Sequence, residues 1–267
     1  MSEPATADRA PPILLREDSH GVVTLRLNRP DQLNALSEAM LSALEQQLDD
    51  IAKDSSIRCV VIAGSGKAFC AGHDLREMRQ SSELDYYQTL FARCSQVMQA
   101  LQALPVPVIA QVQGLATAAG CQLVATCDLA IAADTARFAV SGINVGLFCS
   151  TPAVALSRNV SPKRAFDMLV TADFIDAETA AQWGLINLAV PADQLEVAVS
   201  RKVAQIVEKS PTAIRYGKAM FYQQRTKALP QAYEYAADVM ARNMMEQDAG
   251  EGIDAFLEKR RPQWTQI

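Results

Sequence analysis

The chain has 267 residues, of which 49% are hydrophobic and 21% charged, with a formal net charge of −5. That balance belongs to a globular protein long enough to bury a large core without disulfides or metals. So mild a charge gives no electrostatic ground for a nucleic-acid partner, and no apolar run approaches the roughly 20 residues that span a bilayer. Residues 1–12, MSEPATADRAPP, contain no apolar signal core and carry Glu3 and Asp8. A disordered tail on a cytoplasmic protein is therefore expected. The six cysteines form no C-x-x-C pair, and only His20 and His73 are available to join them. No metal site is expected, and the cysteines read as small buried hydrophobes, with Cys149 held open.

In chain order, residues 22–27, VVTLRL, read as a strand that ends at the turn-prone Asn28-Arg29-Pro30-Asp31. Ser37 is placed to cap a helix whose Met40, Leu41, Leu44, Leu48 and Ile51 recur at helical spacing. A strand over 58–63 leads into the loop GSGKAFCAGHD, and a helical stretch covers 84–104. Residues 106–112 form a strand fenced by Pro105 and Pro107, a helix is expected over 119–127, and short strands over 129–133 and 137–140. From Pro152 onward helices follow one another, over 152–159, 162–170, 177–183, 193–209, 211–226, 230–247 and 250–260. Asp176 and Gly184 read as the N-cap and C′ residue of one of them. Strands alternating with helices predict an α/β fold, followed by a helical tail.

Two junctions between strand and loop stand out. The first, Ala63 to Asp74, contains GSGKA but satisfies neither the P-loop nor the dinucleotide-binding pattern. It remains a small-residue loop that is either an ordinary turn or a backbone able to approach a ligand. In the second, Gln113 to Gln122, small residues run into a helix start. The free N–H groups there suit a carboxylate, a phosphate or a developing oxyanion, and the same residues suit tight helix packing.

Asn34-Ala35-Leu36, the run from Phe69 to Leu75, Pro107 to Ala110 with Gly114, Ala119-Gly120-Cys121 and Cys127-Asp128-Leu129 follow one another in a characteristic order. With Phe174 to Ala177, Trp183 to Ile186 and Phe256 to Arg260, they resemble the enoyl-CoA hydratase/isomerase (crotonase) family over about residues 20–261. The resemblance implies an α/β fold made of a right-handed spiral of ββα units with a C-terminal helical oligomerisation region. Residues 13–200 would form the acyl-CoA-binding core, and 201–267 the region that builds a homotrimer or a dimer of trimers. The partner would be an acyl-CoA or enoyl-CoA thioester, with CoA as part of the substrate, no separate cofactor, no nucleic acid and no membrane.

By the same resemblance the backbone N–H groups of His73 and Ala119 form an oxyanion hole for the thioester carbonyl. Gln32 and Leu33 would lie along the pyrophosphate and pantetheine, and Ala71, Asp74 and Leu75 near the adenine. Phe256 and Lys259 would cover the nucleotide from a neighbouring subunit. Two positions depart from the family. Where its hydratases carry two glutamates, this chain has Gln122 and Gly142. A glutamine amide holds a water but takes no proton at neutral pH, and glycine supplies nothing; a positive φ at Gly142 is one expected reason for it. The stretch 146–152 also departs, with Pro152 expected at the first position of a helix capped by Ser150 or Thr151, and with Cys149 and Ser150 facing the pocket. Three readings compete: an acyl-CoA enzyme that works without the two glutamates, a non-catalytic acyl-CoA-binding or regulatory protein, and a helical interaction module suggested by the tail.

Overall fold

The computed structural model describes residues 11–265; the tail expected over 1–12 lies, for its first ten residues, outside them. Val23, Leu25 and Leu27 alternate inward along β2 (Val22–Leu27), the pattern of a strand with one face on a core. β1 (Leu14–Ser19) pairs with it antiparallel, although its sequence, LLREDS, shows no alternation and its last four residues are exposed. Ser37 caps α1 (Glu38–Lys53) by accepting from the Met40 N–H at 3.1 Å. The helix buries Met40, Leu41, Leu44, Leu48 and Ile51.

A two-strand step then repeats. β3 (Cys59–Gly64) runs into β4 (Ala68–Cys70), followed by α2 (Leu75–Gln80) and α3 (Leu84–Ala103). β5 (Val108–Val112) runs into β6 (Leu115–Thr117), followed by α4 (Ala119–Thr126). β7 (Leu129–Ala133) runs into β8 (Arg137–Ala139), followed by α5 (Ser150–Leu156) and α6 (Pro162–Thr171). The first strand of each step joins a six-stranded sheet of order β1-β2-β3-β5-β7-β10, and the second joins a four-stranded sheet of order β4-β6-β8-β9. Successive steps pair in parallel in both sheets. Parallel pairing requires each helix to carry the chain back over the sheet, and such crossovers are right-handed. The result is the right-handed spiral of ββα units.

The three-residue strands β4 and β6 are absent from the sequence reading because they lie within small-residue loops. Two more strands interrupt the tail expected to be wholly helical: β9 (Ile175–Asp176) beside β8, and β10 (Leu188–Val190) beside β7. Between them α7 (Ala177–Trp183) is capped by Asp176, which accepts from the Thr179 N–H at 2.8 Å, and is ended by Gly184 at φ 83°.

The main core fills the space between the sheets and helices α1, α3 and α4. A second cluster covers the other face of the large sheet, where Leu195 and Val199 of α8 (Leu195–Val207) meet Cys59, Val61, Ile109 and Ile131. β3 is accordingly buried at every residue, as a parallel strand covered on both faces must be. The expected boundary at 200/201 falls inside α8, and α8 is part of the core.

Three helices follow: α9 (Pro211–Gln224), α10 (Leu229–Met244) and α11 (Gln247–Leu257). α9 is tied to the sheets by Lys218, whose ammonium donates to the Leu101 and Val106 carbonyls, each at 2.9 Å, and to Asp128 at 2.7 Å. Asp128 also accepts from the Tyr222 hydroxyl at 2.7 Å and from the Val108 N–H at 2.6 Å. Burial pushes the Lys218 ammonium below its ordinary pKa, opposed by the Asp128 charge beside it.

Candidate active site

Glycine is required where the second sheet meets α4. A methyl group on Gly120 would fall on the carbonyl oxygen of Cys70, and one on Gly114 on that of Lys67. Gly72, at φ 94°, lies so close to α4 that a Cβ there would stand 2.9 Å from Ala118 Cβ and 3.2 Å from the Ala119 nitrogen. The loop 70–73 and the first residue of α4 are therefore held against each other. Ala118, which precedes the helix, has φ 48° and ψ −120°, a conformation costing an L-residue about 1–3 kcal/mol. It is fixed there by its own N–H, which donates to Ala139 at 3.0 Å, and by its carbonyl, which accepts from Gln122 at 3.0 Å. Thr117 adds a bond to the Ala71 carbonyl at 3.1 Å.

The consequence is two main-chain donors side by side. Ala119 opens α4, so its N–H has no partner within the helix. At His73 the neighbouring strand-like contact uses the Gly72 carbonyl and the Asp74 N–H, which bond to Leu36, and leaves the His73 N–H out. Among the described residues neither N–H meets an acceptor. Both residues line a cavity of about 750 Å³.

The cavity also gathers Gln32, Leu33, Ala71, Asp74 and Leu75, as well as Gly142, Cys149 and Ser150. Leu33 and Asn34 have φ of 50° and 54°. Asn34, fully buried, holds this edge by donating to the carbonyls of Ser65 at 2.9 Å and Ala68 at 2.7 Å. Arg29 was not singled out in the sequence; it stands at the same edge and pairs with Asp74 at 3.2 Å. The Asn28-Arg29-Pro30 turn was the signal that could have found it.

Three other candidates lie elsewhere. Gln122 is 4% exposed and is not among the residues lining the cavity, and its Oε1 is unpartnered among the described residues. Phe256 is 82% exposed on α11, and neither it nor Lys259 reaches this chain's cavity. The His73 ring is packed edge-on against Phe91, with ring centroids 5.4 Å apart. Burial lowers its pKa, so the imidazole is held toward its neutral form.

The segment 141–152 differs from expectation in two respects. Gly142 is not among the residues at positive φ. It is glycine because a Cβ there would stand 2.5 Å from the Leu147 carbonyl oxygen and 2.7 Å from Cys149 Sγ. α5 begins at Ser150 after Cys149, with no side-chain cap, so Pro152 is the third helical residue rather than the first. Cys149 Sγ accepts from the Gly142 N–H at 3.3 Å. Burial raises its pKa, partly offset by that bond. Cys70 and Cys121, enclosed in the core, are pushed up to about 12 by burial.

Residues 17–267 match the family described as enoyl-CoA hydratase/isomerase. The chain is 43% identical over 254 residues to "Enoyl-CoA hydratase domain-containing protein 3, mitochondrial" of Xenopus laevis, covering 95% of this chain and 86% of that protein. It is 35% identical to the 2,3-dehydroadipyl-CoA hydratase of Escherichia coli (strain K12), over 90% of this chain and 94% of that one. A crystal structure of an enoyl-CoA hydratase from Mycobacterium smegmatis superposes with a TM-score of 0.94 at 58% identity, covering 95% of this chain and 99% of that chain. The human enoyl Coenzyme A hydratase domain-containing protein 3 gives 0.92 at 42% identity, with 94% and 100% covered. With the family matched from residue 17 to the last residue, and the fold shared with its solved members, the chain belongs to the enoyl-CoA hydratase/isomerase family.

Proposed function

We propose that this protein binds an acyl-CoA or enoyl-CoA thioester and polarises its carbonyl between the N–H groups of His73 and Ala119. The supporting observation is the pair of adjacent, unpartnered main-chain donors in the wall of one large cavity. Donors fixed before the substrate arrives stabilise a thioester enolate without reorganising, and one such donor contributes about 3 kcal/mol to a transition state. Gln32 and Leu33 would follow the pantetheine arm, with Ala71, Asp74 and Leu75 toward the adenine. Calorimetric titration with acetoacetyl-CoA, an enolisable thioester, is expected to give saturable binding. No heat at millimolar ligand would remove the proposal.

A second reading, acyl-CoA binding without turnover, is favoured by one specific observation. No carboxylate stands at 122 or 142, and the space beside Gly142 is filled by Cys149 Sγ and the Leu147 carbonyl. Turnover across a panel of enoyl-CoA and acyl-CoA thioesters separates the two readings.

The C-terminal helices support a trimer or a dimer of trimers. Tyr233, Met240 and Met244 of α10 are exposed, as are Phe256 and Leu257 at the end of α11. Apolar area of this extent on helices is ordinarily covered by a partner. Phe256 and Lys259 would then reach a neighbouring subunit's nucleotide. Light scattering is expected to return three or six copies; a monomer that still binds CoA thioesters would overturn the placement of Phe256 and Lys259.

A further inference from the structure

Residues 33–36 and the loop 71–74 run side by side along the cavity, and main-chain bonds lace them together. The Ala71 N–H donates to the Leu33 carbonyl at 3.0 Å, and the Leu36 N–H to the Gly72 carbonyl at 2.7 Å. The lacing is slackest next to the free donor. The bond that follows His73, from the Asp74 N–H to the Leu36 carbonyl, is 3.4 Å long. Main-chain pairing alone therefore holds His73 firmly on one side only.

Arg29 holds the other side with a side chain. Its guanidinium donates from Nη2 to Asp74 Oδ2 at 3.2 Å and from Nη1 to the Ala35 carbonyl at 3.4 Å, so one planar fork joins both segments. The Arg29 N–H donates to Asn34 Oδ1 at 2.9 Å, which ties the fork to the fully buried Asn34. The second carboxylate oxygen of Asp74 accepts from the Arg76 N–H at 3.1 Å and caps α2. The side chains of Arg29 and Asp74 are only 19% and 12% exposed, and a charge-assisted bond is about twice as strong as the neutral main-chain bond beside it. We propose that Arg29 is a positioning residue for the thioester carbonyl: acting through Asp74, it fixes the direction of the His73 N–H. The inference rests on the oxyanion reading and adds the residue that sets its geometry. Arg29 also lines the cavity, so a direct contact with the phosphates of CoA is the alternative to separate.

The test isolates the carbonyl. Butyryl-CoA and S-butyl-CoA, the thioether without the carbonyl oxygen, are titrated calorimetrically into the native protein, Arg29→Met and Asp74→Asn. Two hydrogen bonds to a neutral carbonyl together supply about tenfold in affinity, so the native protein is expected to prefer butyryl-CoA by about that factor. In both variants the preference should fall to about threefold or less, because one donor loses its aim. The carbonyl stretch of bound, isotope-labelled butyryl-CoA should also return toward its position in water, a signal that loss of a phosphate contact would not move. Asp74→Asn keeps the volume and one acceptor for the cap of α2, so it carries the test if Arg29→Met does not fold. A preference and a carbonyl stretch unchanged in the variants would overturn the inference. So would an equal weakening of both ligands in Arg29→Met, which would assign that side chain to the phosphates. Equal affinity of the native protein for the two ligands would instead remove the oxyanion reading, and the inference with it.

Discussion

Crotonyl-CoA is expected to be hydrated by the native protein about 10⁴-fold more slowly than by an enzyme with two positioned carboxylates, or not at all. A general acid or base supplies ~10² to 10⁴ in rate, and Gln122 and Gly142 stand where the proposed alignment with the hydratases would put the two carboxylates. The residual rate would come from the main-chain donors. Simple replacement is not expected to restore activity. Gly142→Glu places a Cβ 2.5 Å from the Leu147 carbonyl oxygen and 2.7 Å from Cys149 Sγ. One of those neighbours is backbone and cannot rotate aside. Overpacking of this kind costs about 1–3 kcal/mol, and a denaturant titration should register it. Gln122→Glu puts a carboxyl into a position that is 4% exposed, where burial favours its neutral form. The double variant should therefore stay slow and lose stability. Loss of enoyl-thioester absorbance measures the rate. Ordinary hydratase turnover by the native protein, unchanged in Gln122→Ala, would show that another group transfers the proton, and Cys149 would be the first to replace.

Lys218→Met is expected to destabilise the fold by about 3–5 kcal/mol. The methionine fills similar volume but leaves Asp128 without its cation, and leaves the carbonyls of Leu101 and Val106 without their donor. Removing both charges with Asp128→Asn should cost less than the sum of the two single changes, because neither partner is then left as an unpaired buried charge. Urea unfolding of the three variants supplies the cycle. Additive losses, or a loss below about 1 kcal/mol for Lys218→Met, would show that the Lys218–Asp128 pair is not what holds α9 against the sheets.

What the sequence disclosed depended on the length of the signal. The apolar stripe of α1 and the caps at Ser37 and Asp176 are local patterns, and the structure reproduces them. β4 and β6 have three residues each and no alternation to detect; they are strands because parallel neighbours pair with them. The acidic, polar run of β1 is likewise a strand by virtue of β2. At the site, the small residues 114–120 signalled close approach but left open to what. The carbonyls of Lys67 and Cys70 answer that, and they are distant in sequence. Position 142 was legible only as a glycine; that Cys149, seven residues on, occupies the space beside it is a fact of the chain path.

The strained turn at Ala118 and the loop at Gly72 bear on how this protein should be dissected. The atoms they aim are peptide nitrogens, which every residue except proline possesses. Exchanging side chains one at a time leaves both in place, and at position 119 an alanine scan has nothing to remove. If these donors polarise a thioester as proposed, chemistry carried by the backbone in this way would be invisible to substitution libraries. It calls for replacement of the peptide link itself, as when an amide is exchanged for an ester and its hydrogen is lost while the side chain stays.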